Sequence, residues 1–123
     1  MSKRKILVVD DEISVRTILK QILEKSDFEA DSAGDGVEAV EKLKASSFDG
    51  VITDINMPNM DGVALLKKIK EDYPDMPVIF ITAFGRDKIV IEAMKVGLVD
   101  FIEKPFKMDV IINTLNQHIK RKG

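Results

Sequence analysis

Four acidic positions, one hydroxyl and one amine stand out because each closes or follows a short apolar run. Asp10, Asp11 and Glu12 follow residues 6–9, Asp54 follows 50–53, Thr82 ends 78–82, and Lys104 follows 101–103. Grouped carboxylates hold hard divalent cations or act as nucleophiles, while a neighbouring ammonium or hydroxyl binds anionic oxygen. Other chemistries are closed. The chain has no cysteine and one histidine, which removes thiol nucleophiles, disulfides, iron–sulfur clusters and Cys- or His-rich metal sites.

These side chains can act together only if the fold brings them to one place. The β-branched runs at 5–9, 28–32, 50–53, 78–82 and 101–103 read as strands. Helical patterns separate them. Residues 13–25 place Val15, Ile18, Leu19, Ile22 and Leu23 on one stripe, Val37, Val40 and Leu43 mark a second helix, Val63, Leu66 and Ile69 a third, and 86–96 and 108–121 complete five. Strict strand–helix alternation predicts a doubly wound α/β domain, a five-stranded parallel sheet covered by helices on both faces. Ligands in such sheets sit beyond the carboxyl ends of the strands. The singled-out residues lie at those ends.

At 123 residues, with Ile, Leu, Val and Phe forming a third of the chain, the sequence supports one domain spanning 1–123 with one well-filled core. Nineteen basic against 21 acidic residues give a net charge of −2, without the basic footprint that nucleic-acid binding demands. No apolar run is long enough for a signal peptide or membrane span. The expected compartment is the cytoplasm, with no membrane partner.

Carboxylates gathered from adjacent strand ends repel by several kcal/mol at ~4 Å and an effective dielectric of ~20. A divalent cation resolves this, and Mg²⁺ suits hard oxygen ligands that leave room for water and phosphate. Taken singly, Asp11 reads equally well as a helix N-cap, while Asp54 reads better as a loop residue and Lys104 as a solvated charge. Their convergence favours a site. There Asp54 is a carboxylate nucleophile of the kind that forms aspartyl phosphates, with Mg²⁺, Lys104 and Thr82 available to neutralise a phosphoryl group.

The segments 6–12 (ILVVDDE), 53–62 (TDINMPNMDG), 81–83 (ITA) and 103–106 (EKPF), taken in order, resemble the response-regulator receiver domain of two-component signalling over essentially the whole chain. The resemblance implies a flavodoxin-like (βα)5 receiver fold with strand order 2-1-3-4-5, in which Asp54 accepts a phosphoryl group from a sensor histidine kinase or histidine phosphotransfer protein. It implies that Asp10, Asp11, Asp54 and the backbone carbonyl of Asn56 organise Mg²⁺, Asp10 acting through water. Thr82 and Lys104 would grip the phosphoryl group, the Lys104–Pro105 bond would be cis, and Phe101 would serve with Thr82 as the switch, lacking the phenol hydroxyl of a tyrosine. The start of helix one and the loop holding Pro105 and Phe106 would face the kinase. Such a domain is a phosphoacceptor rather than an enzyme.

A haloacid-dehalogenase-like phosphatase shares the Asp, Mg²⁺, Thr and Lys set, but its nucleophile follows strand one in a DxD pattern that this chain lacks. A flavodoxin-like carrier would need a phosphate loop where carboxylates stand. Ile13 lies off the core stripe of its helix beside the acidic site, which makes it a candidate partner contact. Helix four carries two apolar strips, Val90, Ile91 and Met94 facing the core and Ile89, Ala93 and Val96 opposite. That pattern predicts a downstream partner or phosphorylation-dependent dimer on helix four, strand five and helix five. By the same resemblance Asn56 and Phe84, two residues beyond Asp54 and Thr82, would border the path of a hydrolytic water, which predicts a long-lived phosphoryl group. Met57, Met60 and Met108 read as loop and core packing, and His118 as a boundary residue without a role. Residues 120–123 read as a frayed end or the start of a linker.

Overall fold

A parallel strand packed on both faces needs an apolar residue at nearly every position, and a chain of such strands needs amphipathic helices to cover them. The computed structural model describes residues 3–83 and 88–120. Among them the elements are β1 (Arg4–Val9), α1 (Ile13–Lys25), β2 (Phe28–Ala33), α2 (Gly36–Ala45), β3 (Gly50–Asp54), α3 (Gly62–Asp72), β4 (Val78–Thr82), α4 (Lys88–Lys95), β5 (Asp100–Glu103) and α5 (Met108–His118). All five strands join one parallel sheet, as the alternation predicts, in the order β2-β1-β3-β4-β5 that the resemblance implies.

Strand alternation divides the core in two. Ile6, Val8, Ile52, Ile79 and Ile81 face α1 and α5, where they meet Leu19, Leu23, Ile111 and Leu115. Leu7, Val9, Val51, Val78 and Phe80 face α2, α3 and α4, where they meet Leu43, Leu66, Ile69 and Val90. Each such side chain contributes about 1.5–3 kcal/mol on full burial. The last turn of α5 is further tied to β1 by Arg4. Its guanidinium lies 4.2 Å from the Phe28 ring centroid and donates to the Ile119 carbonyl at 3.0 Å and to Asn116 Oδ1 at 2.7 Å, satisfying a terminal carbonyl with a cation.

Three helical stripes differ from expectation. Ile18 is 48% exposed rather than core, because burial centres on Leu19 and Leu23 and Ile18 lies about 120° around the helix from their midpoint. Val37 is exposed for the same reason, about 140° from the line through Ala39 and Leu43. On α4 the stripe is rotated. Val90 and Ala93 are buried, whereas Ile91 is 51% exposed and Met94 is also exposed. A methyl side chain lets the helix approach the sheet closely, and the larger side chains are turned out on both flanks. Met108, expected in the core, is exposed in the first turn of α5, whereas Met57 and Met60 pack partly buried against the core as expected. Residues 86 and 87 of the expected helix four, Phe84, and residue 121 at the end of helix five lie outside the described residues.

Gly62 opens α3 directly behind the end of β3. A Cβ there would sit 2.4 Å from the Asp54 carbonyl oxygen and 2.8 Å from Ile55 Cα, whereas one at Gly50 would meet side-chain atoms, the Ile119 terminal methyl at 2.4 Å, Ile119 Cγ1 at 3.2 Å and Ile6 Cδ1 at 3.5 Å. Backbone cannot yield as a methyl can. Gly62→Ala should therefore cost about 2–3 kcal/mol and Gly50→Ala less than half of that, read from urea unfolding midpoints. Equal losses at the two positions would refute this account.

Candidate functional site

Register places the site. Val9 pairs with Thr53, so Asp10 continues alongside Asp54, and Asp54 pairs with Ile81, so Thr82 lies one step beyond it. Thr82 pairs with Glu103, and the Lys104 amide donates to the Thr82 carbonyl at 2.8 Å. One oxygen from each of Asp10, Asp11 and Asp54 lies within 4.8 Å of the others. Lys104 Nζ stands 3.6 Å from Asp54 Oδ2. The Asp54 Oδ1 atom accepts from the Ile55 amide at 2.7 Å, which fixes the carboxylate plane. Thr82 is buried at the end of β4. Four strand ends thus bring together the residues singled out from the sequence.

The electrostatics are unfavourable as they stand. At 4.8 Å and an effective dielectric of ~20, each carboxylate pair repels by about 3 kcal/mol. Asp10 is 1% exposed. Burial pushes its carboxyl above the ordinary range, opposed by the Glu12 amide that donates to Oδ1 at 2.9 Å, and the Asp54 charge pushes it up further. Its Oδ2 is buried with no hydrogen-bond partner among the described residues. An orphaned buried oxygen, two further carboxylates and, among the described residues, one ammonium in contact form a donor set that suits a hard divalent cation.

The rim is built by loops. Asp11 does not cap α1; Glu12 occupies the N-cap without a side-chain bond. Arg16 Nη1 instead donates to the Asp10 carbonyl at 2.6 Å, holding the turn after β1. Asn56 lies exposed in the loop 55–61, whose stem is closed by the Gly62 amide on the Ile55 carbonyl at 2.7 Å. Asn59 Nδ2 donates to Asp35 Oδ2 at 2.8 Å across from the β2–α2 turn, a contact the sequence reading missed because neither residue belongs to a periodic pattern.

On the far side of the site the Lys104–Pro105 bond is cis, as the resemblance implies. Phe101 packs half-buried on the α2–α4 side of the sheet and Phe106 on the α1–α5 side, with Pro105 exposed between them. Ile13 is 71% exposed at the start of α1, and Ile89 is exposed on α4. His118, read from sequence as a boundary residue without a role, lies with Nε2 2.9 Å from Asp100 Oδ2, joining the end of α5 to the start of β5.

The response regulator receiver domain family profile matches residues 6–116. The chain is 42% identical over 114 residues to the chemotaxis protein CheY of Bacillus subtilis, covering 92% of this chain and 95% of that one. It is 40% identical over 112 residues to the transcriptional regulatory protein ZraR of Klebsiella oxytoca, covering 91% of this chain and 25% of that one. Among solved structures, the chemotaxis protein CheY4 of Vibrio cholerae matches with a TM-score of 0.92 at 31% identity over 96% of this chain and 100% of that one. This chain belongs to the response regulator receiver domain family, a signalling domain of two-component systems.

Burial of Asp10 carries a stability consequence. A carboxyl raised above its unfolded value favours the fold when protonated, and that contribution is lost as pH rises through the folded value. Asp10→Asn should therefore stabilise the metal-free chain at pH 7 by about 1–2 kcal/mol, by removing one charge from the cluster. The gain should shrink as pH falls toward the ordinary carboxylate range. Thermal unfolding in excess chelator measures it, and a gain that grows on acidification would contradict the burial account.

Proposed function

We propose that this receiver domain takes a phosphoryl group from a phosphohistidine of a sensor kinase or phosphotransfer protein onto Asp54. An Asp54 carboxylate oxygen forms the new bond to phosphorus. The phosphorus–nitrogen bond breaks, and its electron pair stays with the departing imidazole. The observation that carries the reading is the pairing of Lys104 Nζ with Asp54 Oδ2 at 3.6 Å beside the unpartnered Asp10 Oδ2, an ammonium and a cation-seeking oxygen on either side of one carboxylate.

Asp10, Asp11, Asp54 and the Asn56 carbonyl would hold Mg²⁺, which supplies charge neutralisation for nucleophile and phosphoryl oxygens alike. Lys104 meets a second phosphoryl oxygen as an ammonium, and the Thr82 hydroxyl a third. With Thr82 drawn toward that oxygen, Phe101 on the neighbouring strand is the side chain free of a polar tie that can follow, which makes this pair the switch. Ile13 and the Pro105–Phe106 loop flank the pocket and form the kinase contact. Ile89 and the face of α4, β5 and α5 pass the state on to a downstream protein or a second receiver. The chain itself promotes only the gain and loss of its own phosphoryl group.

Incubation with a small acyl-phosphate donor and Mg²⁺ should add one phosphoryl group by intact-protein mass spectrometry. Asp54→Asn and excess chelator should each abolish it. Modification that persists in either condition would overturn the assignment. Ile13→Asp should slow transfer from the cognate kinase about tenfold or more, as loss of a central apolar contact does, while leaving small-donor modification unchanged. Equal loss with both donors would mean that the pocket rather than the docking surface had been damaged.

A further inference from the structure

The residue that carries the backbone ligand of the proposed cation site, Asn56, stands in a loop that is fastened at two points. Its stem is the Gly62 amide on the Ile55 carbonyl at 2.7 Å. Its tip is Asn59, which adopts φ 68° and donates Nδ2 to Asp35 Oδ2 at 2.8 Å. Glycine would hold that left-handed backbone more easily than asparagine. What asparagine adds is the amide.

The acceptor is itself immobilised. Asp35 is the N-cap of α2, its Oδ1 accepting from the Glu38 amide at 2.8 Å, so both carboxylate oxygens are committed in different directions. The next residue, Gly36, lies against the loop, where a Cβ would stand 2.7 Å from the Met60 carbonyl oxygen. The first turn of α2 is thus a fixed post for the loop tip, and a hydrogen bond to an ionised acceptor is roughly twice as strong as a neutral one.

We propose that Asn59 and Asp35 are a positioning pair that holds the Asn56 segment in the geometry a small octahedral cation requires. The proposal rests on the acidic pocket being a Mg²⁺ site, and it adds residues from a different strand–helix turn to that site's support. Released at the tip, the segment keeps its stem and the core packing of Met57 and Met60, but the ordering that the Asn59 bond supplied then falls to the cation and appears as lost affinity. Mg²⁺ demands near-ideal octahedral geometry, whereas Ca²⁺ accepts irregular shells with more ligands. The pair therefore sets selectivity between the two ions as well as affinity.

Titration of the full chain with Mg²⁺ and with Ca²⁺, followed by amide NMR shifts of residues 54–62 at about 0.15 M ionic strength, tests this. Loss of outer ligand supports typically weakens metal binding by 10–100-fold, and this one is exposed to water. Asn59→Gly should accordingly weaken Mg²⁺ binding about three- to tenfold and Ca²⁺ binding less than about twofold. Asp35→Ser keeps an N-cap oxygen but removes the second acceptor, and should match it. The exchanged pair Asp35→Asn with Asn59→Asp conserves charge and reverses donor and acceptor, so Mg²⁺ affinity should return to within about twofold of the parent. Unchanged Mg²⁺ affinity in Asn59→Gly, or equal weakening for both ions, would overturn the positioning role. A parent chain that binds no Mg²⁺ would instead overturn the reading of the pocket itself.

Discussion

The controlling constraint is like charge held at close range. Asp10, Asp11 and Asp54 place three oxygens within 4.8 Å of one another, and one of the three side chains is almost wholly excluded from water. Left to itself such a group would push its strands apart or take up protons. It is held by elements whose stability comes from elsewhere, the two apolar faces of the sheet, each clamped by helices through fully buried Leu, Ile, Val and Phe side chains. Many small gains spread over the core offset a concentrated local cost, as expected where a site is organised for chemistry rather than stability.

That division explains why the clustered side chains come from separate strands. A parallel sheet sets all strand ends on one edge, and its register fixes their neighbours without any loop having to be rigid. Asp10, Asp54, Thr82 and Lys104 are each at or one residue past the end of a paired segment. The pieces that are not on strands need their own fastenings: Arg16 on the Asp10 carbonyl, Gly62 beneath the Asp54 carbonyl, and Asn59 on Asp35. Precision is inherited from the sheet at the centre of the site and assembled bond by bond at its rim.

The central residues were therefore legible in the sequence, since an apolar run that stops at Asp or Thr locates a strand end and the alternation of runs locates the edge. What lay beyond reading has physical causes. The α4 stripe was misplaced because hydrophobic weight favours Ile91 and Met94, whereas close approach to the sheet selects Ala93, a preference that only the neighbouring layer sets. Ile18 and Val37 failed similarly, at the margins of stripes whose centres the sheet chooses. The pairs His118–Asp100 and Asn59–Asp35 join residues 18 and 24 positions apart. No periodicity links them, and each depends on how two loops or helix ends meet.

The rotated α4 also bears on how a change at Asp54 could be felt at a distance. The described part of this helix, Lys88–Lys95, is anchored through Val90 and Ala93, while Ile89, Ile91 and Met94, with Val96 beyond them, stand exposed. It shares the α2–α4 core with Phe101, which occupies the strand beside β4 and pairs with Phe80. A side chain half-buried next to a helix anchored through two small side chains is a place where repacking costs little, since few contacts need to be broken to reach a second arrangement. The heavily buried β1, β3 and α3 have no such freedom. Charge density and packing density are thus arranged oppositely across the sheet: the carboxylates sit over its tightly packed centre, and the side chains able to answer them sit toward the β5 edge.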